Sequence, residues 1–205
     1  MVHTTEALRA DLDRLCAIEP ALALAIERLG YPETRVRTPG YETLLRTIVG
    51  QQVSVAAAAS VWNRLEALLD AGCPPDRLLG QSEEALRACG LSRQKQGYAR
   101  SLAALVVSGA IDLHALPDDD EEAIATLVRI KGIGRWSAEI YLLFAEGRPD
   151  IWPAGDLAVR IAIGELLGLP ERPDERRIRE IAERWRPHRS AAALLAWHHY
   201  NGATL

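Results

Sequence analysis

The chain has 205 residues, 48% hydrophobic and 25% charged, an ordinary balance for a folded protein and enough length for one domain or two small interleaved lobes. No apolar run approaches the length of a bilayer crossing and residues 1–10 hold no signal-peptide hydrophobic region, so the expectation is an intracellular, cytoplasmic protein with no membrane partner. The formal net charge of −4 excludes a uniformly basic surface, and because charge acts within about a Debye length of roughly 8–10 Å, its distribution matters more than its sum.

Residues 1–40 read as two short helices. Leu8, Leu12 and Leu15 share one face and Leu22, Ile26 and Leu29 another, with Gly30 and Pro32 ending the second. From Tyr41 the chain turns continuously helical. Leu44, Leu45, Ile48 and Val49 form one apolar face, and Ala58, Val61, Trp62, Leu65, Leu68 and Leu69 the next. Between them lies Gly50-Gln51-Gln52, polar in an apolar neighbourhood, where two adjacent amides most simply read as surface. Ser82 caps a short helix ending at Cys89-Gly90, and the following helix carries Tyr98, Leu102, Leu105 and Val106 before Ser108-Gly109 closes it.

Arg93, Lys95 and Arg100 make one basic cluster, Arg129, Lys131 and Arg135 a second, and residues 172–189 carry seven arginines. Arg93 and Lys95 suit phosphate contact and plain solvation equally. Cys16, Cys73 and Cys89 lack C-x-x-C spacing and are too few for a four-thiolate cluster, and no His/Asp/Glu spacing suggests catalytic zinc, so no cofactor for catalysis is expected. There is no strand pattern, repeat or low-complexity linker, and the fold class is all-α.

The stretch from Asp118 to Arg160 organises the rest. A helix over 121–130 is opened by the acidic run Asp118 to Glu122, which suits amide capping and the positive dipole end. The hairpin Lys131-Gly132-Ile133-Gly134 follows, then a second helix over about 135–145. Two glycines flanking one apolar residue permit positive φ and close approach, and the next helix N-terminus presents unpaired amides to an anion. A bare G-x-G is by itself more often a helix C-cap and turn. Further on, Pro153-Ala154-Gly155-Asp156 precedes a helix bearing Val159, Ile163, Leu166 and Leu167. Residue type alone reads Asp156 as its N-cap, with Pro153 stiffening the approach and Gly155 permitting an unusual backbone angle. For Trp62 and Trp185 core packing is preferred.

Leu127-Val128-Arg129-Ile130-Lys131-Gly132-Ile133-Gly134-Arg135-Trp136-Ser137-Ala138 strongly resembles the helix-hairpin-helix of the DNA glycosylase superfamily. Asp156 lies where that superfamily keeps a catalytic Asp, about twenty residues on. Ile48-Val49-Gly50-Gln51-Gln52-Val53-Ser54-Val55-Ala56, and Glu183 to Ser190 with Trp197, are similar to the 3-methyladenine DNA glycosylase II branch, so the resemblance covers about residues 41–200 with three motifs in order.

The resemblance implies a two-lobed helix-hairpin-helix glycosylase fold. Its members often carry a β-sheet domain before the core, but residues 1–40, with helical periodicity and no alternating strands, cannot supply one, so a version without an N-terminal β domain is expected. Residues 41–150, including the hairpin unit 121–145, would form the central lobe. Residues 1–40 with 151–205 would form the second, and the active site and DNA would lie in the cleft between. Asp156 is the implied catalytic residue, and Trp136, Trp197 and Trp152 the base pocket. Gln51, Gln52, Ser54, Lys131, Gly132, Gly134, Arg135 and Ser137 are the implied DNA contacts. The backbone carbonyls of Val128, Ile130 and Ile133 would hold a structural Na+ or K+.

The expected activity is monofunctional excision of alkylated purines, such as 3-methyladenine and 7-methylguanine, from duplex DNA. Cleavage leaves an oxocarbenium-like sugar that a fixed carboxylate stabilises, and a cationic leaving base needs no strong general acid. Members that also cut the backbone through a Schiff base carry lysine where Trp136 stands, so lyase chemistry is not expected. The expected partner is damaged double-stranded DNA, met as a monomer on the nucleoid. The alternatives are a glycosylase for oxidised or deaminated bases, or a non-catalytic helix-hairpin-helix DNA-binding module.

Overall fold

The computed structural model describes residues 4–202, so the outermost residues of the expected second lobe fall outside it. Among the described residues there are twelve α-helices, one 3₁₀ turn and no strand. In chain order the helices are α1 (Thr5–Ile18), α2 (Pro20–Leu29), α3 (Tyr41–Gly50), α4 (Val55–Leu69), α5 (Pro75–Leu79), α6 (Glu83–Ala88), α7 (Arg93–Val107), α8 (Asp120–Val128), α9 (Arg135–Phe144), α10 (Leu157–Leu166), α11 (Glu175–Ala182) and α12 (Arg189–Gly202), with the 3₁₀ turn at Glu183–Trp185. The periodicity reading does not mark α5 or α11, which are only five and eight residues long.

Side-chain capping sets most helix starts. Thr4, Ser54, Ser82, Ser92, Asp119, Asp156 and Asp174 each accept the amide three residues on. Such a cap contributes about 1 kcal/mol, which matters for helices of six to ten residues that are marginal alone.

The chain divides into two compact units, one made by the stretch up to Val36 with the stretch from Leu142 on, the other by Arg37–Tyr141. In the first, α12 is the central helix. Ala191 to Ala196 are all buried, and the helix packs on α10, α2 and α1, its alanines permitting close approach. Leu8, Leu12 and Leu15 of α1 and Leu22 and Ala25 of α2 complete this core, whereas Ile26 and Leu29 are only half-buried. In the second, α7 is central and packs on α5, α3 and α6 through Ala99, Leu102 and Ala103. Leu44, Leu45, Ile48, Val49, Trp62, Leu65 and Leu69 bury as their periodicity demands, while Leu68, on the expected apolar face, is 37% exposed.

Six of the seven arginines of 172–189 are ion-paired, so this stretch is not the basic surface that its composition suggests. Arg176 and Arg177 pair with Glu180, Arg179 with Glu175, Arg184 with Glu19, and Arg186 and Arg189 with both Asp150 and Glu183. Near neighbours at helical spacing meet most of these guanidinium groups, while Glu19 and Asp150 reach Arg184, Arg186 and Arg189 only through the fold. Gly155 departs from expectation as well. It is not among the positive-φ residues, so the approach to Asp156 needs no glycine-only angle.

That approach is fastened to α12 instead. Arg189 clasps Asp150 with Nε at 2.8 Å and Nη2 at 2.9 Å, and Nη2 also donates to the Asp150 carbonyl. Ser190 accepts the Ile151 amide at 2.9 Å and donates to the Arg148 carbonyl. Both partners of the ion pair are largely withdrawn from water, so removing one leaves an uncompensated charge. Arg189→Met is expected to lower unfolding stability by about 3 kcal/mol, read as a fall in denaturant midpoint at unchanged slope.

Candidate active site and nucleic-acid interface

In the first unit the chemistry centres on Asp156. Its side chain caps α10, with Oδ1 accepting the Val159 amide at 3.0 Å, and the indole Nε1–H of Trp197 donates to the same oxygen at 3.2 Å. Trp197 lies on α12 and stacks on Phe144 at the end of α9, with ring centroids 5.5 Å apart and planes 28° off parallel. The carboxylate is half-buried at the positive end of a helix, bonded by two donors that fix its orientation. Asp156 and Trp197, 41 residues apart in sequence, are therefore brought together. Trp152 is placed in the core, 3% exposed, with its ring edge against fully buried Trp185 at 5.5 Å.

Phe144 and the Asp150–Arg189 clasp escape the sequence reading. Phe144 is the chain's single phenylalanine, the one signal that marks it. Asp150 and Arg189 read as surface charges until the fold joins them.

In the second unit the hairpin joins α8 to α9. Gly132 takes φ 84, and a Cβ there would lie 2.2 Å from Cδ2 of Tyr98, so glycine is required twice over. Gly134 differs. Its φ is not positive and a Cβ would meet nothing within 4 Å, so nothing in the chain demands glycine there. An exposed backbone bare of side chain beside a helix N-terminus suits close approach by an external anion.

Lys131 is exposed and its backbone amide donates to Ser101 Oγ at 3.1 Å, leaving its side chain beside the turn. Arg135 gives its guanidinium to the protein: two bonds to Glu121, at 2.5 and 2.8 Å, and one to buried Glu139 at 2.9 Å. The Glu121 bonds, ahead of the nearby Glu139 charge, make it hold its proton more tightly than an ordinary arginine. Its place is as a brace between α8 and α9.

The α3–α4 turn lies beside the hairpin within this unit. Gln51 Nε2 donates to the Gly132 carbonyl at 2.8 Å, across 81 residues of sequence. Gln52 is exposed and one of the few non-glycine residues at positive φ, 55°, and Ser54 caps α4 by accepting the Ala57 amide. Lys95 donates to the Val49 carbonyl at 2.7 Å, and Arg100 to the carbonyls of Leu79 and Gln81, so both serve the fold. Burial lowers the pKa of Lys95. Trp136, 48% exposed, Ser137 and Ile140 line a cavity of about 1060 Å³ with Gln51, Gln52 and Thr47. Cys73 is buried with its thiol pushed up to about 12, which removes it as a nucleophile.

The carbonyl of Ile130 accepts the Ile133 amide at 3.0 Å, and Val128 ends α8. Val128 closes a helix C-terminus, the negative dipole end, and the backbone carbonyls of Val128, Ile130 and Ile133 are all hard, neutral oxygen donors. That donor chemistry fits an alkali cation. No cluster of three or more His, Cys, Asp or Glu that could hold a metal occurs among the described residues.

The two hairpin glycines make a direct test of this geometry. Gly132→Ala is expected to cost about 3 kcal/mol in unfolding stability, from the left-handed φ and the Tyr98 overlap, and Gly134→Ala less than about 0.5 kcal/mol, both by denaturant titration.

Comparison with known proteins places this geometry in context. Residues 45–187 match the family described as HhH-GPD superfamily base excision DNA repair protein. DNA-3-methyladenine glycosylase 1 of Schizosaccharomyces pombe is 35% identical over 161 residues, 77% of this chain and 71% of that protein. A DNA-3-methyladenine glycosidase from Bacillus halodurans superposes with a TM-score of 0.88 at 29% identity, covering 95% of this chain and 90% of the other. Schizosaccharomyces pombe 3-methyladenine DNA glycosylase in complex with abasic DNA superposes with a TM-score of 0.77 at 30% identity, covering 96% and 97%.

Proposed function

This chain belongs to the HhH-GPD superfamily of base excision DNA repair proteins, and we propose that within it the chain is a monofunctional DNA-3-methyladenine glycosylase of the type II branch, hydrolysing the N-glycosidic bond of alkylated purines. The observation that carries this reading is the Asp156 carboxylate, fixed through Oδ1 by a backbone amide and an indole N–H.

Loss of the base leaves positive charge on the sugar. A carboxylate whose orientation is already fixed stabilises that charge without reorganising, and it can orient or deprotonate the attacking water. An alkylated purine is cationic before cleavage and leaves readily, so a single Asp suffices. The target must first leave the base stack, which costs least at damaged pairs. An electron-rich indole face attracts a cationic ring by roughly 0.5–2 kcal/mol, the chemistry for which Trp197 in the first unit and Trp136 in the second are each suited. Trp136 also stands where Schiff-base members carry lysine, so no amine is offered there for covalent attack.

Duplex DNA is gripped at the hairpin by the amides about Gly134 and the start of α9, with Lys131 adding charge. We assign a structural Na+ or K+ to the carbonyls of Val128, Ile130 and Ile133. When bound, it supplies positive charge beside a DNA phosphate. Gln52 and Ser54 act from the α3–α4 turn and Ser137 from α9, and the enzyme works as a monomer where the chromosome lies.

Release of free bases from methylated duplex DNA, followed by chromatography under single-turnover conditions, tests the reading. Asp156→Asn is expected to slow release on the order of 10³-fold with duplex binding retained. Trp197→Phe keeps an aromatic ring for Phe144 but removes a donor from Oδ1, and is expected to slow release about tenfold. Unimpaired release by Asp156→Asn would remove Asp156 from the mechanism.

A further inference from the structure

The hairpin is useful as a grip only if its peptide planes keep a fixed direction, and a two-glycine turn has little intrinsic stiffness. Three contacts within the second unit supply it. Ser101 of α7 accepts the Lys131 amide at 3.1 Å, the Tyr98 ring lies against the Cα of Gly132, and Gln51 donates to the Gly132 carbonyl at 2.8 Å. The third is unlike the others because it comes from the α3–α4 turn, whose next residue is the exposed, positive-φ Gln52. The peptide joining Gly132 to Ile133 is pinned at both ends, its C=O by Gln51 and its N–H by the Ile130 carbonyl at 3.0 Å. The amides of Gly134 and Arg135 belong to the next two peptides of the chain, which start from that pinned plane. The turn is in turn anchored to α7, since Lys95 donates to the Val49 carbonyl at 2.7 Å, two residues before Gln51.

We propose that Gln51 is a positioning residue and not a reader of bases: its side-chain amide locks the hairpin to the α3–α4 turn, so that the phosphate grip and the turn carrying Gln52 meet the duplex as one rigid surface. This rests on the DNA-binding reading of the hairpin given above. It departs from the expectation that Gln51 contacts DNA, because one N–H of its side-chain amide already serves Gly132 and holds the group against the hairpin.

The test uses Gln51→Met, which keeps length and neutrality but removes the donor, with Gln51→Ala as a second variant. Affinity is measured for an undamaged duplex and for the same duplex carrying a tetrahydrofuran abasic-site analogue, and the backbone amide resonances of the DNA-free protein are recorded by NMR. A lost hydrogen bond that orients a grip on the backbone is expected to weaken binding to both duplexes by the same factor, about fivefold, in both variants. The Ile133 and Gly134 resonances are expected to shift in the free protein, since their peptide planes lose the lock.

A loss confined to the abasic duplex would make Gln51 a direct reader and overturn the proposal, as would unmoved Ile133 and Gly134 resonances. Failure of the wild type to bind either duplex, with those resonances shifting in the variants, would instead reject the DNA-binding reading on which the role of the lock depends.

Discussion

A lone carboxylate acts on a developing cation only if it is held still, and the arrangement of the first unit meets that requirement at Asp156. Asp156 is fixed by a donor from its own helix, the Val159 amide, and by one from α12, the Trp197 indole. Each donor needs support. Trp197 is backed by Phe144 in a near-parallel stack, and the chain leading to Asp156 is tied to the start of α12 by Arg189 and Ser190. Because α12 buries an unbroken alanine- and leucine-rich segment against α10, α2 and α1, both the indole and the clasp rest on the most deeply packed helix of that unit. Under the proposed mechanism the N-cap that starts α10 and the carboxylate that serves the reaction are one group, so one hydrogen bond would serve both helix stability and catalytic geometry.

In the second unit the hairpin leaves backbone uncovered beside a helix N-terminus, as the proposed phosphate grip requires. Gly132 is glycine for internal reasons, its φ and the Tyr98 ring, whereas neither a positive φ nor a close neighbour demands glycine at Gly134, which leaves that backbone open to the proposed phosphate. The charges beside the hairpin are divided in the same way. Lys131 stays exposed, while Arg135 is absorbed by Glu121 and Glu139 and stiffens the junction of α8 and α9. A chain with net charge −4 can thus offer an anion site without a broad basic surface, since amides and a helix N-terminus do what lysines do elsewhere.

Much of this was legible from residue order. The period of Leu8, Leu12 and Leu15 and of Leu44, Leu45, Ile48 and Val49 set core faces correctly, and Asp156 was readable as an N-cap because Asp before an amphipathic run is a local signal. What escaped depends on partners distant in sequence. The Gln51–Gly132 bond spans 81 residues and the Trp197–Asp156 bond 41, and no local pattern encodes either. The seven arginines misled for the opposite reason. Glu175 with Arg179 and Arg176 with Glu180 are i,i+4 pairs on α11, so part of the charge counted as a cluster is neutralised by near neighbours. Trp152, counted with the pocket because it lies near Asp156 in sequence, points into the core because its neighbours Ile151, Pro153 and Ala154 are buried with it.

The central claim is a hydrolytic glycosylase that acts through a fixed carboxylate with no covalent amine. The most direct test incubates the wild-type protein with a duplex carrying one methylated purine, in the presence and absence of borohydride. Free base, the strand nicked only after alkali, and no trapped protein–DNA adduct are the predicted result. Nicking before alkali together with a borohydride-trapped adduct, or bound DNA from which no base is released, would contradict the account.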